Sequence, residues 1–149
     1  MTFKEKIFQL YLQRVDEKIS LLKTSLIELT ESAANETKST AGDKHETALA
    51  MLQIEQENTS RQLKEVLNQK SILEKIDPTL HTIETVRGSI VNTNKGIFFI
   101  SIGLGKILID DKTVIALSPE SPLGLQLMHK KPGVEFRFNE TNYIVESVE

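Results

Sequence analysis

"STAGDKHET", Ser39 to Thr47, separates two stretches that contain no strong helix breaker. From Phe3 to about Ile76 the chain has no proline, and its only glycine is Gly42, inside this short stretch. Proline and glycine are the residues that most disfavour a helix interior, so their absence on both sides predicts two long helices joined here.

The periodicity outside the stretch supports that reading. Ile7, Tyr11, Val15, Ile19, Leu22, Leu26, Leu29 and Ala33 recur every three or four positions, which lays one apolar stripe along the first helix. Leu52, Gln56, Thr59, Leu63, Val66, Lys70 and Leu73 form a weaker stripe on the second. In an antiparallel hairpin, facing residues have numbers with a nearly constant sum. Leu29 with Leu52, Leu22 with Thr59 and Val15 with Val66 all give 81, which centres the hairpin on Thr40 and Ala41. Arms of about 30 residues rise 1.5 Å per residue and so extend roughly 45 Å. Such arms bury little, because only one stripe has a partner. A spacing or dimerising coiled coil is the plain reading of this pattern; reaching is the functional one.

After Asp77-Pro78 the texture changes to short β-rich runs, with all four prolines and the other six glycines. The expected division is a hairpin over 1–76 with its tip near 39–47, a linker over 77–85 and a β-rich domain over 86–149. Strands are expected at 88–93, 96–102, 106–110, 113–117, 134–138 and 143–148. Asn94-Lys95-Gly96 and Asp110-Asp111-Lys112 read as hairpin turns, which implies mostly antiparallel pairing. Between the last strands, Pro122 to Lys130 reads as a short helix with Ser121 as N-cap and Pro122 at its first position.

Composition excludes several classes. A net charge of −3 argues against direct, tight binding of nucleic acid. The absence of cysteine removes disulfides and thiolate metal sites and fits a reducing compartment. No apolar run approaches the 18 residues of a membrane span, so a cytoplasmic protein without membrane contact is expected. His45, His81 and His129 have no second ligand at i+3 or i+4 and read as surface residues. Gly103-Leu104-Gly105-Lys106 resembles part of a phosphate loop, but Ile100 and Ile107 stand where glycine and a hydroxyl residue are needed.

Asp43 and Glu46 have two readings. Three apart at a helix start, they project from nearly one face and could share a cation through oxygen ligands. Equally, Asp43 as N-cap and Glu46 as its reciprocal partner would form a capping box.

These features together resemble the Gre family of bacterial transcript cleavage factors, over nearly the whole chain. Ser118 to Val134, within "ALSPESPLGLQLMHKKPGVEF", is similar to the family's C-terminal pattern "isPesPlGkaLlgkkvGD". Gly42-Asp43-x-x-Glu46 is similar to its tip, "GDlxEN", and Ser60 to Val66 and Lys75 to Pro78 are weaker echoes. The chain departs from the family at Lys4-Glu5-Lys6, at Val134 and, after Glu46, at Thr47-Ala48-Leu49.

The resemblance implies an α+β fold: an N-terminal antiparallel coiled-coil hairpin followed by a small FKBP-like antiparallel sheet domain with one short helix. It implies a monomer that binds RNA polymerase, inserts its coiled coil into the secondary channel and touches nascent RNA only indirectly. Asp43 and Glu46 would assist the polymerase's own active centre by sharing a Mg²⁺ in the complex, with no cofactor held stably and no independent enzyme activity. Pro119, Ser121, Pro122 and Leu123 are where partner binding is expected. The alternatives are a non-cleaving regulator of the same channel and a coiled-coil adaptor with no link to polymerase.

Overall fold

The computed structural model describes residues 1–37 and 43–149, with side chains described for 1–36 and 46–149. The expected hairpin centre at Thr40 and Ala41 lies outside the described residues. Two helices, α1 (Phe3–Thr37) and α2 (Asp43–Glu74), are followed by strands β1 (Ile90–Thr93), β2 (Gly96–Ile100), β3 (Gly105–Ile109) and β4 (Lys112–Leu117). A short helix α3 (Pro122–Leu127) precedes β5 (Glu135–Phe138) and β6 (Thr141–Val148). The α+β class read from the sequence is the one observed.

The chain divides into two compact units, Met1–Leu12 with Ser71–Glu149, and Gln13–Lys70. In the second unit, every stripe residue from Val15 to Ala33 and from Leu52 to Lys70 is buried or half-buried, while nearly all positions between them are exposed. The pairing is antiparallel. Lys70 Nζ lies 2.7 Å from Asp16 Oδ1, and Gln56 Nε2 donates to Thr30 Oγ1 at 3.4 Å. Asp16 and Thr30 follow Val15 and Leu29 by one place; Lys70 and Gln56 follow Val66 and Leu52 by four. Both contacts therefore flank the expected facing pairs by the same offset, one helical turn along the second arm.

In the first unit the six strands form one sheet in the order β3-β4-β2-β1-β6-β5. All pairings are antiparallel except β2 with β4, where Ile97 lies beside Val114 and Ile100 beside Leu117. That exception follows from chain order. β3 leaves β2 by one place, and a tight turn at Asp110 and Asp111 (φ 50° and 61°) sends β4 back into the gap. A second turn of this kind, at Asn139 and Glu140 (φ 46° and 63°), joins β5 to β6.

Both faces of the sheet are covered, because adjacent residues of a strand point to opposite sides. Phe98 and Ile100 join Val91, Val145, Val148 and Leu127 of α3 on one face. Phe99 faces the other way, its ring centroid 5.7 Å from that of Tyr11 in α1. Tyr11 is fully buried, and its hydroxyl lies 2.7 Å from Gly105 O and 3.1 Å from Val114 O. The start of α1 is thus tied to β3 and β4.

All six strands and α3 begin or end one to three residues from their expected bounds, and two of these differences have a local cause. β1 begins at Ile90 and not at Gly88, since Gly88 has φ +99° and its missing Cβ would lie 3.0 Å from Ile76 Cγ2. Helix α3 ends at Leu127, not Lys130: His129 has φ 67° and its amide donates to Thr85 O at 2.8 Å, which turns the chain out of the helix.

Candidate functional site

Asp43 is the first residue of α2, and its side chain lies outside the described residues, so neither the capping box nor shared metal binding is described there. Glu46 is in the first turn of α2 and exposed. No group of three or more histidine or acidic side chains able to hold a metal occurs among the described residues. Two oxygen donors alone leave most of a Mg²⁺ shell to other ligands, so this chain fits such an ion only as a partner in a shared site.

The segment Ser118 to Leu127 is built more tightly than its turn-like sequence implies. Ser121 is the N-cap of α3: its Oγ accepts from Gly124 N at 3.1 Å and donates to Ser118 O at 2.7 Å. Pro122 follows at a helical position that needs no amide hydrogen, and it is exposed. Gly124 is obligatory here, because a Cβ would fall 2.0 Å from Ser118 O. Pro119 is buried, and Leu123 packs against the core face that holds Leu127. Of the four residues expected at a partner surface, Pro122 alone is exposed, Ser121 and Leu123 being half-buried.

Glu120 is presented outward by the same turn. Ser118 Oγ donates to its carboxylate at 2.5 Å, and Arg87 lies 3.3 Å from it while also donating to Ser101 O at 2.8 Å. The Ser118 hydroxyl, then the Glu120 backbone amide and the Arg87 charge, hold its carboxyl below the usual glutamate range. An ionised, oriented carboxylate therefore stands beside the exposed Pro122. Nothing in the local sequence marks it except Ser118 two positions earlier, a common turn signal.

Sequence reasoning also passed over Lys4, which is 5% exposed and donates from Nζ to Leu80 O at 2.7 Å. Its position was a signal: Lys4, Ile7 and Tyr11 keep the three-and-four spacing of the buried stripe.

These elements define an α+β protein with a two-helix antiparallel hairpin, two acids at the start of its second arm, and a mixed sheet carrying a capped, glycine-locked helix. No family model and no curated protein matches the chain. A solved structure of the transcription factor Gfh1 aligns with 92% of this chain and 92% of its own, at 12% identity and a TM-score of 0.37. A likeness at that level assigns neither family nor function. None of the described helices is long and apolar enough to cross a membrane.

Proposed function

We propose that this chain is a Gre-like transcription elongation factor that binds RNA polymerase, inserts its helical hairpin into the secondary channel and stimulates cleavage of backtracked transcripts. The observation that carries the reading is the pairing of two carboxylates, Asp43 and Glu46, with the end of an antiparallel two-helix arm where α1 stops at Thr37 and α2 starts at Asp43. The similarity of Ser118 to Val134 to the family's C-terminal pattern supports it. So does the exposure of Pro122 and Glu120 on that segment, which fits a surface that grips the channel rim.

In this reading the chain supplies position and ligands rather than a complete active site. The arms would carry the acids to the polymerase's catalytic centre, where Asp43 and Glu46 would supply oxygen ligands for a second Mg²⁺. A metal pair supplies charge for the attacking and leaving oxygens of an in-line displacement. Asp43 and Glu46 would hold that charge in place and orient a water by accepting its hydrogen bonds.

A second reading, a channel regulator that does not cleave, is favoured by one feature. Lys44 and His45 lie between the acids, and Thr47-Ala48-Leu49 replaces the family's run after Glu46. Stalled, backtracked complexes incubated with wild type, Asp43→Ala and Glu46→Ala separate the two. Cleavage by wild type that is lost in both variants is expected. Binding without cleavage by wild type selects the regulator, and failure to bind core polymerase at all rejects both in favour of an unrelated adaptor.

A further inference from the structure

The start of α1 and the connection from α2 to β1 line an open cavity of about 240 Å³ whose wall includes Lys4, Lys75, Ile76, Leu80, Val86 and Arg87. Lys4 is the unusual member. It is only 5% exposed, and among the described residues its one hydrogen bond is to Leu80 O at 2.7 Å, with no carboxylate in direct ion-pair contact. A buried ammonium is costly unless it is paired and fully hydrogen-bonded, so this wall is incompletely compensated. Glu149 and Asp77 act on it from a distance and do not offset the desolvation, which pulls the Lys4 amine below the ordinary lysine range.

We infer that this cavity is a binding site for a small organic carboxylate, whose charged end pairs with Lys4 and whose hydrocarbon body fills the apolar space between Ile76, Leu80 and Val86. The chemistry of the wall selects the class. A phosphate dianion needs several donors around three oxygens. Arg87 is already committed to Ser101 O and Glu120, which leaves Lys4 and the exposed Lys75, and Asp77 on the same wall repels a second negative charge. A singly charged carboxylate with an apolar body matches both the single buried cation and the lining. The inference does not depend on polymerase binding.

Titration of the ¹⁵N-labelled full chain with sodium butyrate, at constant ionic strength made up with chloride, tests it. Saturable shifts are expected at the amides of Ile76, Leu80 and Gly88, with a midpoint on the order of a few millimolar for so small a ligand. The Lys4 ¹³Cε resonance should titrate at higher pH with saturating butyrate than without, because a bound carboxylate favours the charged amine. Lys4→Met should weaken binding about tenfold or more, as loss of a direct charge pair does. Leu80→Trp, which fills the cavity and keeps Lys4, should abolish it, and decides the matter if Lys4→Met does not fold. Inorganic phosphate should give no saturable shift. Linear shifts without saturation, an unchanged midpoint in both variants, or an equal response to phosphate would each overturn the proposal.

Discussion

The two units of this chain are built on opposite economies of burial. Among the described residues, the buried apolar side chains of the Gln13–Lys70 unit are Val15, Ile19 and Val66 alone; all the others belong to the sheet unit. The helical unit exposes Leu21, Ile27, Met51, Ile54 and Leu67, and its seam includes Gln56, Thr59 and Lys70. The sheet unit, by contrast, is filled on both faces and locked at Tyr11 and Gly124. Two helices that share one stripe have little to stabilise them beyond it, since most helical stability in proteins comes from packing. The difference separates a densely packed region from one held by a single thin seam.

Paired truncations give the largest contrast. Phe99→Ala removes a fully buried ring from the sheet and should cost about 3 to 5 kcal/mol in denaturant unfolding. Leu26→Ala, at a half-buried seam position, should cost under about 1.5 kcal/mol. Equal costs would end the distinction. Next is Gly124→Ala, for which the backbone must move to relieve a 2.0 Å approach to Ser118 O. A loss of about 1 to 3 kcal/mol is expected, the usual range for overpacking, and it should be visible as a lower melting temperature.

Two changes should stabilise. Thr59→Leu completes the apolar seam of the helical unit and should raise its stability by about 1 kcal/mol, read by slower hydrogen exchange along α2. Glu140→Gly relieves a non-glycine residue at φ 63° in the β5–β6 turn, with a gain of about 1 kcal/mol. If the helical unit gained nothing from a better seam, its weakness would lie elsewhere than in packing.

The smallest effects concern pH and lie in the sheet unit. The folded carboxyls of Glu120 and Asp77 titrate below their ordinary values of 4.5 and 3.8, owing first to the Ser118 and Thr79 hydroxyls. Their contribution is complete above the ordinary carboxylate range and is lost as the pH falls through the lowered folded values. Ser118→Ala should flatten that acid limb. Lys4 acts with the same sign in the alkaline range: the unfolded chain binds its proton up to about pH 10 while the folded chain releases it earlier, so stability from this group also rises with pH there. Lys4→Met should remove that rise in a series of melts.

How much of this was legible depended on which signal each element carries. The two helices and their antiparallel sense followed from stripe spacing and the absence of breakers, because a single-seam hairpin writes its contacts into local periodicity. The strands were legible from β-rich runs and from two of the hairpin turns. Asn139-Glu140 was not, because a left-handed turn without glycine lacks the usual mark. The parallel β2–β4 pairing was also hidden, since strand order is a property of the returning chain. Lys4 and Glu120 escaped for different reasons: the acceptor of Lys4, Leu80 O, is distant in sequence, whereas the first partner of Glu120, Ser118, is two positions away but belongs to a common turn pattern. Asp43 and Glu46 were singled out by residue type and spacing, and what they do rests on the proposal.

The central claim is that the helical unit acts through its reach. Removing seven residues from each arm, 20–26 and 57–63, keeps the stripe in phase and shortens the hairpin by about 10 Å. The shortened protein and the wild type would be compared on stalled, backtracked elongation complexes, with affinity for core polymerase measured alongside. The account predicts that affinity is retained within about twofold while the effect of the wild type on the stalled transcript disappears. A shortened protein that acts on the transcript as well as the full-length chain would contradict it.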